Sequence, residues 1–458
     1  MLDKYVQKKE LGKLRTFLPS LTTNSGLLNS LKLTIITQFF PPDYAATGQL
    51  IEELVTNLAQ QGIQVKVFTG QPGYAFQKHS APSIERSEKL LIRRSRASRL
   101  WNARIRGKAI NGILFLIRSV LHLFKVKNRG DILLVTTAPP FLPLVGYLGK
   151  LLFNLPYVCL VYDLYPDVAV QLQVISPCHP LAKFWHWLNC KVWQQAERIV
   201  VLSSTMKERI QSHCPEIGDK IVVIHSWANP AQIVPIPKQD NWFARKYNLV
   251  NTFTVLYSGN MGRCHEMDTI LAAASQLQDE AIQFVFIGGG AKLQTCIDRV
   301  KKLGLENCLF LPYQEKQDLP YSLTACDLSL VSISPGMEGV VVPSKLYGIL
   351  AAGRPVAAIC ESHSYLRQLI AEASCGAAFN TSDSTGLAKF IRRLAEDREQ
   401  VHQMGMAGRR YLQLHFTPEI IARQYSNLLQ EALLAFRQSL ALPKTAKVAA
   451  CETNTILD

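Results

Sequence analysis

Paired cysteines are missing from this sequence. Its 11 cysteines are scattered singly between Cys159 and Cys451, and no two of them form a C-x-x-C pair. That spacing excludes a disulfide framework and a zinc site built on cysteine pairs, and it favours a reducing compartment. The N-terminus also lacks an uninterrupted apolar segment followed by a small-residue cleavage site, so we expect no secretory signal and a cytoplasmic protein.

A dinucleotide-binding fingerprint and a low-complexity composition are absent as well. No G-x-G-x-x-G segment occurs, which argues against a dinucleotide-dependent oxidoreductase. Hydrophobic residues make up 48% of the chain and charged residues 19%, which excludes a disordered or collagen-like protein. A chain of 458 residues exceeds what one hydrophobic core usually organises, so two domains are expected.

Acidic residues are few compared with basic ones. Lys and Arg number 50 against 35 Asp and Glu, a net charge of +15, and residues 78–129 alone hold 14 Lys or Arg beside Glu85 and Glu88. Such an excess favours an anionic partner, namely phosphates, anionic lipid or nucleic acid. No nucleic-acid recognition motif accompanies the charge, so nucleic acid is not expected as a partner.

Two apolar stretches, residues 110–124 and 139–161, leave three alternatives open: a helix lying in the bilayer interface, core packing, or a true membrane span. The first stretch carries Arg118 and is shorter than a span, and the second contains four prolines and Lys150. Basic residues beside an apolar face attract anionic lipid. We therefore expect a membrane-associating insertion at about 78–160 and a protein peripheral to the inner face of the plasma membrane.

Short β-rich runs alternate with amphipathic segments along the rest of the chain. One series runs from residue 31 to 227 and a second from 253 to 360, with a proline-rich stretch at 228–240 between them. This alternation predicts an α/β fold of two Rossmann-like, doubly wound domains facing a cleft. The expected bounds are a loose extension at 1–30, a first domain at 31–228, a linker at 229–250, a second domain at 251–415, a last helix at 416–440 and a tail at 441–458.

Three glycine-containing loops follow predicted strands. They are FFPPDYAATGQL (39–50) with Gly48, YSGNMGRCHEM (257–267) with Gly259, Asn260 and Arg263, and the cluster Gly288, Gly289 and Gly290. Glycine at a helix start lets backbone N–H groups approach a phosphate, whose charge the helix dipole favours. An ordinary tight turn or an exposed arginine explains each loop equally well on its own.

The segment SPGMEGVVVPSKLYGILAAGRPVAAI (334–359) is the most informative. Its Pro-Gly loop presents Glu338, and Ser344 opens a helix whose first turn holds Lys345. A lysine there opposes the helix dipole, so a bound anion would explain it. The alternative is a Ser cap beside a solvated Lys. In VYDLYPDVAV (161–170), Asp163 directly follows a strand and either contacts a substrate or caps the next helix.

Taken in this order, FFPPDYAATG, YSGNMGR and EGVVVPSKLYGILAAGRPV resemble the retaining glycosyltransferases of family 4, which have the GT-B fold. The resemblance covers about residues 31–436, and the similar subgroup builds capsule, O-antigen or colanic-acid-type polysaccharide. It implies a metal-independent hexosyltransferase without a cofactor. A UDP- or GDP-linked sugar would be the donor and a lipid-linked or polysaccharide molecule the acceptor.

The resemblance also implies roles for individual residues. Glu338 would face the donor sugar, Lys345 and Arg263 would meet the diphosphate, and Asp163 would serve the reacting groups. The remaining residues expected around the nucleotide-sugar are Gly48, Asn260, Gly288, Gly289, Tyr313, Gln314 and Ser344, with Tyr313 and Gln314 near the base. The last helix would cross back onto the first domain.

Two positions depart from the family pattern. Gly348 stands where a glutamate is expected to hold the ribose, and Asn260 stands where many relatives have the arginine of a diphosphate-binding pair. The first departure keeps open a nucleotide-sugar-binding protein without transferase activity. A nucleotide-sugar epimerase of similar two-domain shape is a further alternative.

Overall fold

The computed structural model describes residues 31–43, 46–72, 81–95 and 105–441. The predicted extension at 1–30 and the tail beyond residue 441 lie outside the described residues, as does part of the loop that contains Gly48. Among the described residues, the strands form two sheets, one of eight strands and one of six.

The first sheet is parallel except at one edge, where β3 and β4 pair antiparallel. Its strand order is β3-β4-β2-β1-β5-β6-β7-β8. The strands are β1 (Lys32–Ile36), β2 (Gln64–Thr69), β3 (Ile84–Arg86), β4 (Leu90–Arg94), β5 (Ile132–Thr136), β6 (Tyr157–Val161), β7 (Arg198–Val201) and β8 (Ile221–Val223). The helices that connect them are α1 (Ala46–Gln60), α2 (Ile105–Phe124), α3 (Pro143–Phe153), α4 (Asp167–Gln171), α5 (Pro180–Gln195) and α6 (Ser204–His213).

Helices cover both faces of this sheet. Leu33 and Ile35 of β1 point into one hydrophobic core together with α1, whereas Ile36 belongs to a second core on the opposite face. Side chains alternate between the faces of a strand, so a strand buried on both sides is apolar throughout. The chain turns from α1 into β2 at Gly62, whose φ of 101° is accessible to glycine without strain.

The second sheet is parallel throughout, in the order β11-β10-β9-β12-β13-β14. Its strands are β9 (Phe253–Ser258), β10 (Ile282–Ile287), β11 (Cys308–Leu311), β12 (Leu328–Ser332), β13 (Val356–Ile359) and β14 (Gly376–Phe379). The helices of this half are α7 (Trp242–Lys246), α8 (Asp268–Gln276), α9 (Leu293–Leu303), α10 (Leu319–Thr324), α11 (Lys345–Ala351), α12 (Tyr365–Glu372), α13 (Ser384–Glu396), α14 (Arg398–His415) and α15 (Pro418–Ala441).

The segment expected to be an insertion is built into the first sheet. The apolar stretch at 139–161 consists of helix α3 and the fully buried strand β6, so much of it is core packing. The hairpin of β3 and β4 extends the sheet within the basic region. Among the described residues, no helix combines the length and apolarity that crossing a membrane requires.

The stretch between the two sheets is more ordered than a free linker. It contains helix α7, whose Phe243 is buried, and Lys238, whose ammonium lies 2.8 Å from a carboxylate oxygen of Asp327. Trp227 donates a hydrogen bond of 2.9 Å to Glu53 on α1. Residues of α15 and α1 share one hydrophobic core, so the last helix packs on the first half of the chain.

Candidate functional site

Lys345 lies where the start of α11 meets the carboxyl end of β9. Its ammonium donates a hydrogen bond of 2.6 Å to the hydroxyl of Tyr257 and lies 3.8 Å from the centre of that ring. A Cβ added to Gly259 would be 3.6 Å from Cε of Lys345, so the lysine stem runs along the glycine turn. The ammonium is thereby held at the ends of parallel strands, where ligands of doubly wound sheets bind.

The charge of Lys345 is sensitive to what lies beside it. Solvent reaches part of the side chain, but protein surrounds the ammonium, and burial lowers the pKa of Lys345 to about 7. An anion bound beside the ammonium would favour the protonated form and raise this pKa. The position therefore suits a lysine that becomes fully charged when a phosphate arrives.

The glycines at the ends of β9 and β10 are required by close backbone approach. Gly259 and Gly288 have φ values of 126° and 133°. A Cβ on Gly288 would come within 2.1 Å of the carbonyl oxygen of Gly259. Met261 N donates to the carbonyl of Gly289 at 2.6 Å, which ties the two turns together. Packing between the turns accounts for glycine at 288.

Tyr313 forms one wall of this glycine-lined region. A Cβ on Gly288 or Gly289 would lie 3.3 or 3.0 Å from the Tyr313 ring, which is 61% exposed. The side chain of Gln314 donates a hydrogen bond of 2.7 Å to the carbonyl of Pro312. The Tyr313 ring therefore covers the two glycines, and its exposed part borders the ends of the strands.

Arg263 and Asn260 lie on the loop after β9. Arg263 is exposed and forms no ion pair with any residue in the described part of the chain. Asn260 is exposed too, and its backbone carbonyl accepts a hydrogen bond of 3.1 Å from the Tyr257 hydroxyl. Tyr257 therefore links this loop to Lys345.

Glu338 lies where the two halves of the chain meet. The residue is 4% exposed, and its Oε1 accepts a hydrogen bond of 2.8 Å from the hydroxyl of Thr205 in α6. Its Oε2 is buried and has no hydrogen-bond partner among the described residues. A buried carboxylate oxygen normally has a partner, so this atom is available for a ligand.

Asp163 faces the second half from the end of β6. The residue as a whole is exposed, yet protein closely surrounds its carboxyl group, and this burial raises the pKa of Asp163 to about 6. Burial first, and then the charge of Asp163, raise the pKa of the Cys264 thiol on the loop that carries Arg263. Asp163 of the first half therefore lies close to this loop of the second half, across the cleft between them.

The remaining predicted residues are less directly engaged. Ser344 is exposed and its hydroxyl makes no capping bond to α11, so the alternative of an ordinary Ser cap is not realised. Gly48 is buried in the first turn of α1, where a Cβ would lie 3.2 Å from the backbone of Phe39 and Phe40. Close packing of α1 on its own loop explains that glycine.

Sequence reasoning missed several residues of this region. Lys292 donates a hydrogen bond of 2.6 Å to the carbonyl of His265, and the His265 ring bonds the carbonyl of Ser332 at 2.9 Å. Burial, with the charges of Lys345 and Lys292, lowers the pKa of His265 to about 3, so this ring is neutral at neutral pH. A cation two residues after the triple glycine was the available signal for Lys292.

One cluster in the described ranges has the spacing of metal ligands. Asp167, His186 and His213 offer ligand atoms within 4.8 Å of one another. Arg209 also donates a hydrogen bond of 2.9 Å to the same carboxylate. Although burial acts to raise it, the hydrogen bonds and charges of His213 and Arg209 hold the pKa of Asp167 below its ordinary value. The arginine already supplies the positive charge that a metal would bring.

Comparison with known proteins identifies the family. The model of Glycosyltransferase Family 4 matches residues 47–232, and that of glycosyl transferases group 1 matches residues 239–411. Probable glycosyltransferase WbjE of Pseudomonas aeruginosa is 25% identical over 408 residues, covering 88% of this chain and 98% of WbjE. A stretch of 119 residues, 26% of this chain and 29% of the relative, is 34% identical to WcaI of Escherichia coli (strain K12), named for glycosyl transfer in colanic acid biosynthesis.

Solved structures share the fold. Anabaena Alr3699/HepE in complex with UDP-glucose superimposes with a TM-score of 0.64 at 14% identity, over 88% of this chain and 100% of that one. The predicted fold class is thereby confirmed. The chain belongs to the GT-B-fold glycosyltransferases of family 4, in the subgroup that serves bacterial polysaccharide biosynthesis.

Proposed function

We propose that this protein is a retaining, metal-independent hexosyltransferase. Its donor would be a UDP- or GDP-linked sugar and its acceptor a lipid-linked or polysaccharide molecule. The observation that carries the proposal is Lys345, a cation held by Tyr257 at the glycine turn of Gly259. No cofactor takes part in the proposed reaction.

The first step of the argument concerns the leaving group. Breaking the bond between the anomeric carbon and the diphosphate oxygen places negative charge on the departing diphosphate. Donors already in place stabilise that charge without reorganisation. Lys345 would meet the diphosphate directly, and the exposed Arg263 would reach it from the neighbouring loop. The complex of Alr3699/HepE with UDP-glucose supports a donor of this class.

The sugar and the base would occupy opposite ends of the diphosphate. The free Oε2 of Glu338 would accept a hydrogen bond from a sugar hydroxyl and orient the ring. The base would stack near Tyr313 and Gln314, with Asn260, Gly288, Gly289 and Ser344 lining the nucleotide and Gly48 approaching from the first half. Asp163, whose raised pKa suits a proton acceptor near neutral pH, would serve the acceptor hydroxyl.

Gly348 replaces the glutamate that is expected to hold the ribose, and this replacement affects the expected affinity for the nucleotide. Gly348 sits within α11, and a Cβ there would meet Leu323 at 3.6 Å, an ordinary contact. A longer side chain at this position therefore meets no backbone obstacle close to its Cβ. We expect the ribose to be held more weakly than in relatives that carry glutamate.

The acceptor side would rest on an anionic membrane. Helix α2 exposes an apolar stripe at helical spacing, made of Ile110, Ile113, Ile117, Leu121 and Phe124. Lys125 and Lys127, both exposed, follow directly. An apolar helix face bordered by cations suits a helix lying in the headgroup region.

Donor binding and turnover by the purified protein test the proposal. We would titrate it with UDP-glucose, UDP-galactose, UDP-N-acetylglucosamine, GDP-mannose and GDP-fucose, and analyse the products formed with lipid-linked acceptors. We expect one sugar nucleotide to bind and to be transferred without added metal, with the configuration at the anomeric carbon retained. Product formation from donor alone would indicate an epimerase, and tight binding without transfer would indicate a non-catalytic protein.

A further inference from the structure

A single buried hydrogen bond connects the sugar-facing carboxylate to the opposite half of the chain. Thr205 of α6 donates to Oε1 of Glu338 at 2.8 Å, and the two residues are 6% and 4% exposed. Thr205 belongs to the first half, whereas Glu338 lies on the loop between β12 and α11 of the second. The donor-side carboxylate is therefore oriented by the acceptor-side half.

The hydroxyl of Thr205 is itself fixed from behind. Ser203 caps α6, and its Oγ accepts a hydrogen bond of 3.1 Å from Met206 N. The hydroxyls of Ser203 and Thr205 are 3.1 Å apart. The Thr205 hydroxyl donates its one proton to Glu338, so the Ser203 hydroxyl donates to the Thr205 oxygen. This chain leaves the threonine hydroxyl with one preferred direction.

The loop that carries Glu338 fits closely against the first half. Gly336 and Gly339 have φ values of 76° and 72°. A Cβ on Gly339 would come within 2.6 Å of the carbonyl oxygen of Thr205. Leu164 N also donates to the carbonyl of Val340 at 3.0 Å, directly after Asp163. At Gly339 the positive φ and this close approach together require glycine, so the backbone of the loop docks directly on the first half.

We propose that Thr205 is a positioning residue, which holds one oxygen of Glu338 so that the other points at the donor sugar when the two halves are closed. The inference rests on the proposed function, because it concerns the same carboxylate. Oε1 is occupied by Thr205 and Oε2 is buried without a partner in the described residues. Opening of the cleft removes the Thr205 bond, so the sugar contact is complete only in the closed state.

Removing the Thr205 hydroxyl should weaken binding of the sugar and leave binding of the diphosphate unchanged. Loss of the Thr205 hydroxyl frees the carboxylate to rotate, which weakens its contact with the sugar but not the contacts of the diphosphate. Losing a hydrogen bond to a charged group weakens a binding constant by about 10-fold to 100-fold. We expect the Thr205→Val variant to bind the nucleotide-sugar about 10-fold to 100-fold more weakly than the wild type. Its kcat/KM for the nucleotide-sugar should fall by the same factor. Binding of the matching nucleoside diphosphate stays unchanged.

Three variants test the inference, using the member of the UDP- and GDP-sugar panel that binds the wild-type protein most tightly. Thr205→Val removes the hydroxyl, Thr205→Ser keeps it, and Ser212→Ala is the control, because the exposed Ser212 lies on the same helix and its hydroxyl donates to the Arg209 carbonyl. We expect Thr205→Ser and the control to stay within about twofold of the wild type. A Thr205→Val variant that weakens sugar nucleotide and nucleoside diphosphate equally would overturn the inference.

A double-mutant cycle separates this inference from the proposed function. In a Glu338→Ala background, Thr205→Val is expected to cause no further loss, because the bond no longer exists. Additive losses would overturn the positioning role. If Glu338→Ala itself leaves transfer intact, the proposed role of the carboxylate fails instead.

Discussion

Lys345 has a pKa near neutrality, so a bound anion would change its charge. It stacks over Tyr257, donates to that hydroxyl, and titrates near pH 7 because it is buried. We expect Lys345→Ala to lower turnover at least tenfold, since one missing charge at the diphosphate costs more than about 1.4 kcal/mol. Lys302→Ala, an exposed lysine on α9, is the matched control and is expected to leave turnover unchanged. Undiminished transfer by Lys345→Ala would remove this residue from the site.

The pH dependence of donor capture follows from the same lysine. The free enzyme holds the ammonium below its pKa of about 7 and loses it as the pH rises through that value. We therefore expect kcat/KM for the donor to fall above about pH 7. Arginine stays charged over this range, so the fall should disappear in Lys345→Arg. If kcat/KM of Lys345→Arg still falls above about pH 7, a group other than Lys345 causes the fall.

We expect Asp163 to determine the acidic side of the pH profile of activity. Its pKa of about 6, raised by burial, means that the carboxylate is protonated below that pH and ionised above it. We expect kcat/KM for the acceptor to rise as the pH increases through about 6. Asp163→Asn should lower the rate and abolish this limb. A profile of Asp163→Asn with the wild-type acidic limb would show that the carboxylate is not the titrating group.

Gly259 and Gly288 are expected to stabilise the fold, because their turns pack against each other, in addition to any contact with a phosphate. In Gly288→Ala the new Cβ would be 2.1 Å from the Gly259 carbonyl, and φ is 133°. We expect a loss of about 2–4 kcal/mol in the free energy of unfolding. Gly304→Ala is the control, with φ of 66° and open space, and should lose only about 1 kcal/mol. Urea unfolding of both variants measures the difference, and equal losses would contradict the packing explanation.

At the scale of elements, the apolar strands could be predicted and the weakly patterned ones could not. β1, β5, β6 and β9 are dominated by apolar residues, as strands buried on both faces of a sheet are, although Thr34 and Thr254 are buried there too. β3 is a three-residue edge strand in a basic stretch, and β14 is the short run GAAF, so neither carries a hydrophobic signal. β3 is placed by antiparallel pairing with the adjacent β4, and β14 by parallel pairing with β13 at the edge of the second sheet.

In the candidate site, too, some residues could be predicted from the sequence and others could not. Lys345 could be singled out from sequence because it stands in the first turn of a helix and opposes its dipole. The partners of such residues could not be predicted, since Tyr257 and Thr205 reach Lys345 and Glu338 only through the tertiary fold. The hydrogen-bonded partners are 88 positions apart in the first pair and 133 positions apart in the second, so no local sequence pattern reveals them.

At the scale of the whole molecule, we propose that the exposed apolar stripe of α2, with the lysines that follow it, contacts a membrane. We expect the double variant Ile117→Glu with Leu121→Glu to lose flotation with vesicles of phosphatidylglycerol and phosphatidylcholine. Leu414→Glu, equally exposed on α14 of the second half, is the control and should float as the wild type does. Flotation should also weaken as salt increases, because the lysines beside the stripe are screened. Retention of both variants on vesicles would place the contact elsewhere.

The two halves form one catalytic unit in this account because the donor would lie between them. Lys345 and the glycine turns belong to one half, Asp163 and Thr205 to the other, and Glu338 bridges them. The structure of the protein with its sugar nucleotide bound tests this most directly. We expect the diphosphate within hydrogen-bond distance of the Lys345 ammonium and the sugar against Oε2 of Glu338. A diphosphate bound away from Lys345, with Glu338 facing no ligand atom, would contradict it.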